Sequence, residues 1–513
     1  MNNTIKTIFG AAFAVAIAYY ANSIVAEGTS HGSFLVLAAI FGAYMAMNIG
    51  ANDVANNVGP AVGAGAMTIG GAIVIASIFE AGGALIAGGD VVGTIKDDII
   101  SLDAFSKEPM LFVYAMSAAL LAAALWLNLA TWLKAPVSTT HSIVGGVMGA
   151  GIAAGGIAIV SWGTMGGIVA SWVISPVLGG IIAAVFLYVI KSQILYKEDK
   201  VQSAKKVVPV LVAIMSAAFI TYITLKGLKH VWGSITAALS FLPQGDKPSF
   251  NVAIVFGLIG GFVTYFIVKP RVERKVAGLD NSRESINILF TIPLIFSAAL
   301  LSFAHGANDV ANAVGPLAAV NDALMHLAVS SKASIPLWVM VTGGVGISVG
   351  LALFGPRLIK TVGSEITELD QMRAFSIMMA AAITVVIASQ LGLPVSSTHI
   401  AVGAVFGVGF LREWLDSKDV SDKQIKLQEE SAKYQTLKAE LDGFSGDDYK
   451  ARLELIETIK RQKKKVKSLK RTLRENYVKR GMVKKIVAAW IITVPAAAVL
   501  SGIIYYILKG MGI

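Results

Sequence analysis

Apolar positions in this chain come in long continuous runs, not in the one-face spacing of a surface helix. Runs long enough to cross a hydrocarbon core, or nearly so, lie at about 6–25, 33–49, 70–89, 110–132, 160–190, 207–225, 250–268, 286–304, 335–355, 372–391 and 484–508. Each predicts a membrane-spanning helix. Two shorter apolar stretches, about 137–156 and 395–411, each open on a Pro-Val-Ser sequence and are rich in glycine. They predict re-entrant or discontinuous helices. The first run follows an early Lys6 in the manner of a secretory signal, but the rest of the chain is membranous, so it is expected to remain as a helix.

Polar groups are expensive at membrane depth and mark substrate or ion pathways, so their placement is the next signal. Gly50–Pro60 reads GANDVANNVGP and Gly306–Pro316 reads GANDVANAVGP; Pro136–His141 reads PVSTTH and Pro394–His399 reads PVSSTH. The two motif types recur in the same order at nearly the same offset, so the chain contains a duplicated unit.

Lys and Arg set the orientation. The basic connections 191–206, 269–275 and 412–485 are assigned to the cytoplasm by the positive-inside rule, and 227–248 to the outside. Counting spans from there, the two copies enter the membrane from opposite sides. Such inverted-topology repeats are a common plan of secondary transporters.

The expected fold is thus an all-α polytopic membrane protein of inverted repeats with discontinuous helices. Its parts are an N-terminal helix (1–32), a first repeat (33–190), connecting helices and loops (191–285), a second repeat (286–411), a charged insertion (412–483) and the last helix of the second repeat (484–513). The insertion carries Leu427, Tyr434 and Leu441, then Ile459, Val466 and Leu473, at heptad spacing on either side of a Gly443–Asp448 turn. It predicts a cytoplasmic antiparallel helical hairpin.

Composition sharpens this in three ways. With 55% hydrophobic and 15% charged residues among 513, the chain is too apolar for a soluble protein. A net charge of +11 could attract nucleic acid, but the basic residues flank apolar runs, so the expected surroundings are the lipid bilayer of the inner (plasma) membrane and no nucleic acid. The absence of cysteine excludes disulfides and thiolate metal sites.

On a helix, Asn52 and Asn56 share a face beside Asp53, as Asn308 and Asn312 do beside Asp309. Their oxygens suit a hard cation such as Na⁺, and a carboxylate could equally carry a proton. Asn57 is matched by Ala313 in the other copy and is the weaker candidate. In the second motif, Ser138, Thr139 and Thr140, with Ser396, Ser397 and Thr398, predict half-helix N-termini that bind an anion through amides and hydroxyls. Neither motif contains Lys or Arg, so an anion beside two aspartates calls for co-bound cations or protons: a physical reason for symport. Glu80 is an intramembrane acid without a partner copy, since Ile347 aligns opposite it; it is a third cation candidate. His141 and His399 read as packed structural residues, and Asp90, Asp97 and Asp98 as solvated ones.

The paired GANDVAN and PVS(S/T)TH segments closely resemble the inorganic phosphate transporter (PiT) family. The resemblance implies import of inorganic phosphate by Na⁺ or H⁺ symport, Na⁺ being favoured, with no organic cofactor and no enzymatic reaction. It places Asp53, Asp309 and the four asparagines at the ion and phosphate site and the Ser and Thr residues along the phosphate. The family segment IFEA-G also has its acid here, as Glu80. One departure is Met378, where animal relatives carry a Glu. Sulfate is the rival substrate, because hydroxyls and helix ends recognise shape and charge without naming the central atom. The Gly-rich helix faces suggest a homodimer.

Overall fold

The computed structural model describes residues 3–25, 32–133, 135, 137–229, 231–239, 241–329, 335–365, 369–415, 417–444, 449–475 and 480–511. The chain opens with α1 (Asn3–Ile24), α2 (Gly32–Asn52), α3 (Val54–Gly63), α4 (Ile69–Ala87), the single turn α5 (Gly89–Gly93), α6 (Pro109–Trp132), α7 (Thr139–Gly155) and α8 (Trp162–Ile190). It continues through α9 (Lys200–Gly227), α10 (Trp232–Ala238), α11 (Phe250–Val276) and α12 (Arg283–Leu289). Then α13 (Thr291–Asp309), α14 (Ala311–His326), α15 (Leu337–Glu365), α16 (Gln371–Gln390) and α17 (Ser397–Leu415) repeat the order of α2, α3, α4, α6 and α7. After α18 (Ser417–Asp442) and α19 (Tyr449–Glu475) the described chain closes with α20 (Arg480–Met511).

Among the described residues, 11 helical stretches are long and apolar enough to cross a membrane. They coincide with the eleven long apolar runs of the sequence. The protein is an all-helical, multi-pass membrane protein. α7, at 17 residues and ~1.5 Å per residue, is a few ångströms shorter than a ~30 Å hydrocarbon core.

Local chemistry fixes where the elements begin and stop. Thr68 caps α4 by accepting the amide of Gly71 at 3.1 Å, and Asp370 caps α16 by accepting that of Arg373 at 2.9 Å. α16 stops at Gly392, whose φ of 67° is open to glycine without a Cβ clash; the chain there turns back into Pro394 and α17. Pro136, which opens the first PVSTTH copy, lies outside the described residues.

Corresponding glycines of the two motif copies make corresponding contacts. A Cβ on Gly50 in α2 would strike the carbonyl of Ile347 in α15, and one on Gly306 in α13 would strike the carbonyl of Glu80 in α4. Ile347 and Glu80 are the residues that the sequence aligns with each other, so these two crossings are copies of one contact. α7 and α17 do likewise, but in exchange. Gly145 packs on the backbone of Val494 in α20, and Gly403 on that of Pro176 in α8. α7 is thereby held by α20, and α17 by α8. Small residues at such crossings let backbones approach closely enough for dispersion to replace the hydrophobic drive that lipid removes.

α18 and α19 pack against each other as a hairpin. Gln462 donates to the Glu430 side chain at 2.6 Å and Lys465 pairs with it at 3.1 Å. The six heptad residues are half-buried along the seam. Of the expected turn, Ser445 to Asp448 lie outside the described residues.

Candidate functional site

The site is built where two broken helices face two helix beginnings. At Asp53 the ladder tightens, the amide of Asn56 returning to the carbonyl of Asp53 at 2.9 Å, and the amide of Ala313 returns to that of Val310 at 3.1 Å in the second copy. These turns separate α2 from α3 and α13 from α14. Asp53 and Asp309, at the two breaks, are 1% and 0% exposed.

Opposite them begin α7 and α17. The hydroxyl of Ser138 accepts the amide of His141 at 3.1 Å, and that of Ser396 accepts the amide of His399 at 3.3 Å. Both serines are therefore engaged as N-caps. The residues that follow reach the acids. Thr139 Oγ1 donates to Asp53 Oδ2 at 2.7 Å and lies 3.2 Å from Asp309 Oδ2. One hydroxyl thus bridges the carboxylates of both copies.

Thr398 Oγ1 donates to Asp53 Oδ1 at 3.1 Å, and Ser397 Oγ reaches Asp309 Oδ2 at 3.4 Å. The asparagines cross over: Asn56 donates to Thr398 at 2.9 Å, while Asn312 donates to Thr139 at 3.1 Å and Thr140 at 3.3 Å. Thr140 in turn donates to the carbonyl of Val395 at 2.9 Å. Every contact in this set except Ser397 to Asp309 and Thr139 to Asp53 runs from one copy to the other.

Asn52 and Asn308 are placed differently. Asn52 donates to Thr131 at 2.9 Å and to the carbonyl of Ala135 at 3.3 Å; Asn308 donates to Ser389 at 2.9 Å and to the carbonyl of Leu393 at 3.2 Å. Their amides fasten the broken helices to the ends of α6 and α16. Thr131 and Ser389 are polar residues closing apolar helices, and their matched offset from the two PVS motifs was the signal that could have found them.

Beside the twofold-like set lies a part present once. Glu80 Oε2 is 2.7 Å from His305 Nδ1, and Glu80 Oε1 accepts from Asn57 at 2.8 Å. His305 Nε2 lies 3.1 Å from Asp309 Oδ2. Sequence reasoning missed His305, although it stands one turn before Asp309 on the same helix face. One ligand atom each from Asp53, His305 and Asp309 fall within 4.8 Å of one another. Among the described residues no Lys or Arg pairs with Asp53, Glu80 or Asp309. With one histidine against three buried acids, the cluster needs added cations or protons to be neutral.

His141 and His399 meet edge to face at 4.4 Å between ring centroids; His141 packs on Trp172 at 3.7 Å and His399 on Trp490 at 3.5 Å. They line the joint between the two half-helices as aromatic packing. Met378 is fully buried in α16. The acids before α6 correct one expectation. Asp98 is exposed, but Asp90 is held by Lys226 and Lys229 of α9, and Asp97 lies 3.8 Å from Lys96 with 13% of its side chain exposed. α9 covers Asp90 in α5, and α14 packs on the turn Thr94–Asp98 that carries Asp97, which the sequence spacing did not reveal.

Buried acids at two helix breaks, facing two capped helix N-termini inside a bundle of eleven spans, define a membrane transport protein. Residues 49–501 match the family described as "Phosphate transporter family", and the chain belongs to it. It is 48% identical over 521 residues to "Putative phosphate permease" of Helicobacter pylori, covering 98% of this chain and 95% of that one. A similarly named permease of Pyrococcus horikoshii is 41% identical over 381 residues, 74% of this chain and 89% of that one. The solved structure titled "The sodium-dependent phosphate transporter" superposes with a TM-score of 0.73 at 32% identity, covering 93% of this chain and 99% of that chain. These relatives are permeases and transporters, not enzymes.

Proposed function

We propose that this protein imports inorganic phosphate with Na⁺ by alternating access, the two copies being inverted about a site near the middle of the membrane. The observation that carries the reading is the Thr139 hydroxyl shared by Asp53 and Asp309 at 2.7 and 3.2 Å. It joins an anion-binding helix end to a cation-demanding acid pair in one place. First-turn amides of α7 and α17 lack intrahelical acceptors and, with Thr139, Thr140, Ser397 and Thr398, would hold the phosphate oxygens. Asp53 and Asp309, with Asn56 and Asn312, would hold Na⁺; its charge offsets the repulsion between the carboxylates and the anion. Ser138, Ser396, Asn52 and Asn308 would act by fixing the helix ends.

Phosphate is preferred to sulfate because it keeps a proton at neutral pH and can donate to Asp53 or Asp309. A dry site built to receive that bond rejects an anion that cannot make it. The hairpin and the basic connections would face the cytoplasm, the bilayer would be the inner membrane, and a homodimer would pack through Gly-rich faces.

A second reading rests on its own observation. The line Glu80, His305, Asp309 has the spacing of a proton relay, which would make H⁺ the coupling ion. Labelled phosphate uptake into proteoliposomes of the purified protein separates the two. An imposed Na⁺ gradient at equal pH on both sides is expected to drive accumulation. Accumulation by a pH gradient alone would assign the coupling to protons, and none in either case would reject phosphate symport.

A further inference from the structure

Outside the site just described, a cavity of about 600 Å³ separates the connecting helices α9 and α11 from α13. We propose that it is a binding site for one anionic phospholipid, drawn from the leaflet at the basic ends of these helices.

Three observations carry this. First, the walls have the length of a leaflet. The lining runs from Val208 to Phe219 on α9, from Thr264 to Lys275 on α11, and from Leu289 to Leu300 across α12 and α13. At ~1.5 Å per residue each stretch is about 16 Å long, which is about half of a ~30 Å hydrocarbon core. Second, the polarity is that of a lipid. Val, Leu, Ile, Met and Phe fill the wall. Among the described residues its only two charged ones, Arg271 and Lys275, lie one turn apart at a single end of the slot.

Third, those two charges are available. Arg271 Nη1 donates to the carbonyl of Ile267 at 2.8 Å, which leaves most of the five guanidinium donors for another acceptor. Among the described residues neither Arg271 nor Lys275 makes an ion pair with a carboxylate. The slot also opens sideways: Ile267, Ile292 and Phe296 on its walls are 49%, 57% and 58% exposed. Acyl chains could enter from the membrane without a passage through the protein, and the phosphodiester would come to rest between Arg271 and Lys275. Basic pockets between spanning helices are a recurrent solution for anionic headgroups. Because α9 and α11 are tied to each other by the Ser216 to Thr264 hydroxyl contact at 2.8 Å, a lipid in the slot would fill the space between that pair and α13.

The test uses the full chain in mild detergent. Wild type and Arg271→Ala/Lys275→Ala are titrated with phosphatidylglycerol and with phosphatidylcholine of the same chains, and bound lipid is counted by native mass spectrometry. Wild type is expected to retain one phosphatidylglycerol at least about tenfold more tightly than phosphatidylcholine. The double variant should lose that preference. Arg274→Ala, which removes a basic residue of the same helix that does not line the slot, should keep it. Equal retention of both lipids by wild type, or an unchanged preference in the double variant, overturns the proposal. So does displacement of the lipid by excess inorganic phosphate, which would make the basic end a site for the free anion. Should the double variant fail to fold, Arg271→Gln and the wild-type comparison of the two lipids decide the matter.

Discussion

Glu80 and His305 meet at 2.7 Å in the fully buried interior, whereas their counterparts in the other copy, Ile347 and Ile49, are both 0% exposed aliphatic side chains. Asn57, the third member of the group, faces Ala313 as its counterpart. Three departures from the internal repeat therefore fall in one place. The matched Asp and Thr residues of the two motifs thus carry an extra polar branch on one side only.

That branch predicts a coupled pair of effects. Glu80→Ile alone or His305→Ile alone leaves a buried polar partner uncompensated and should cost about 3–5 kcal/mol of stability. The double variant Glu80→Ile/His305→Ile reproduces the packing of Ile347 and Ile49, so it should melt higher than either single variant while transport loses part of its cation dependence. Thermal melting of the purified variants, followed by phosphate uptake at graded Na⁺, reads both. Additive destabilisation would show that the two residues do not act as a pair.

The shared part of the site predicts symmetry. Asp53→Asn and Asp309→Asn keep size and hydrogen-bonding shape but remove a charge from a cluster that is 1% and 0% exposed. Each should reduce phosphate accumulation to the level of empty liposomes while leaving the melting temperature unchanged or raised, since burying one charge fewer is favourable. Normal uptake by Asp309→Asn would refute the paired site.

Much of this arrangement is legible in the sequence. Among the described residues the eleven apolar runs became eleven helical stretches long and apolar enough to span, because a helix satisfies its own backbone groups in lipid. The Pro-Val-Ser motifs became capped helix beginnings, because Ser138 and Ser396 can satisfy an amide only there. What could not be read was which face of a broken helix each polar residue takes. Asn52 and Asn56 are one turn apart and look equivalent on helical spacing. Yet the tightened turn at Asp53 aims Asn56 at Thr398 and leaves Asn52 on the ends of α6 and α7, where Val137 also donates to it at 3.3 Å. His305 escaped notice because it lies outside the repeated motif, and its partner Glu80 is far away in sequence. Asp97 looked like a loop acid, since nothing local reveals that α14 will bring Asp322 within 3.7 Å of Lys96.

The helix crossings predict a steric effect. Gly306 lies against the backbone of Glu80, and backbone cannot yield to a methyl group as a flexible side chain can. Gly306→Ala should therefore force α13 away from α4, costing about 1–3 kcal/mol or more, and misplace His305 against Glu80. Gly89→Ala meets nothing within 4 Å and serves as the control. Reduced melting temperature and uptake in the first, with both retained in the second, are the expected results.

The last prediction concerns pH, at the turn between the spans α4 and α6. Burial raises the Asp97 carboxyl to about 6, against the opposing pull of Lys96. An acid whose folded value lies above its unfolded value favours the fold when protonated, and that contribution is lost as pH rises through the folded value. The window thus runs from the ordinary aspartate range near 4 to about 6. Asp97→Asn, which stays neutral throughout, should melt like wild type at the low end of this window. Above it the variant should be more stable than wild type by about 1–2 kcal/mol, the ~3 kcal/mol that a rise from near 4 to about 6 represents being reduced because solvent partly screens the carboxylate. Melting curves of the two proteins across this range, in one detergent and at fixed salt, measure the difference. A stability gap that does not open with rising pH would show that Asp97 is solvated after all and that the Lys96, Asp97 and Asp322 cluster is not closed in solution.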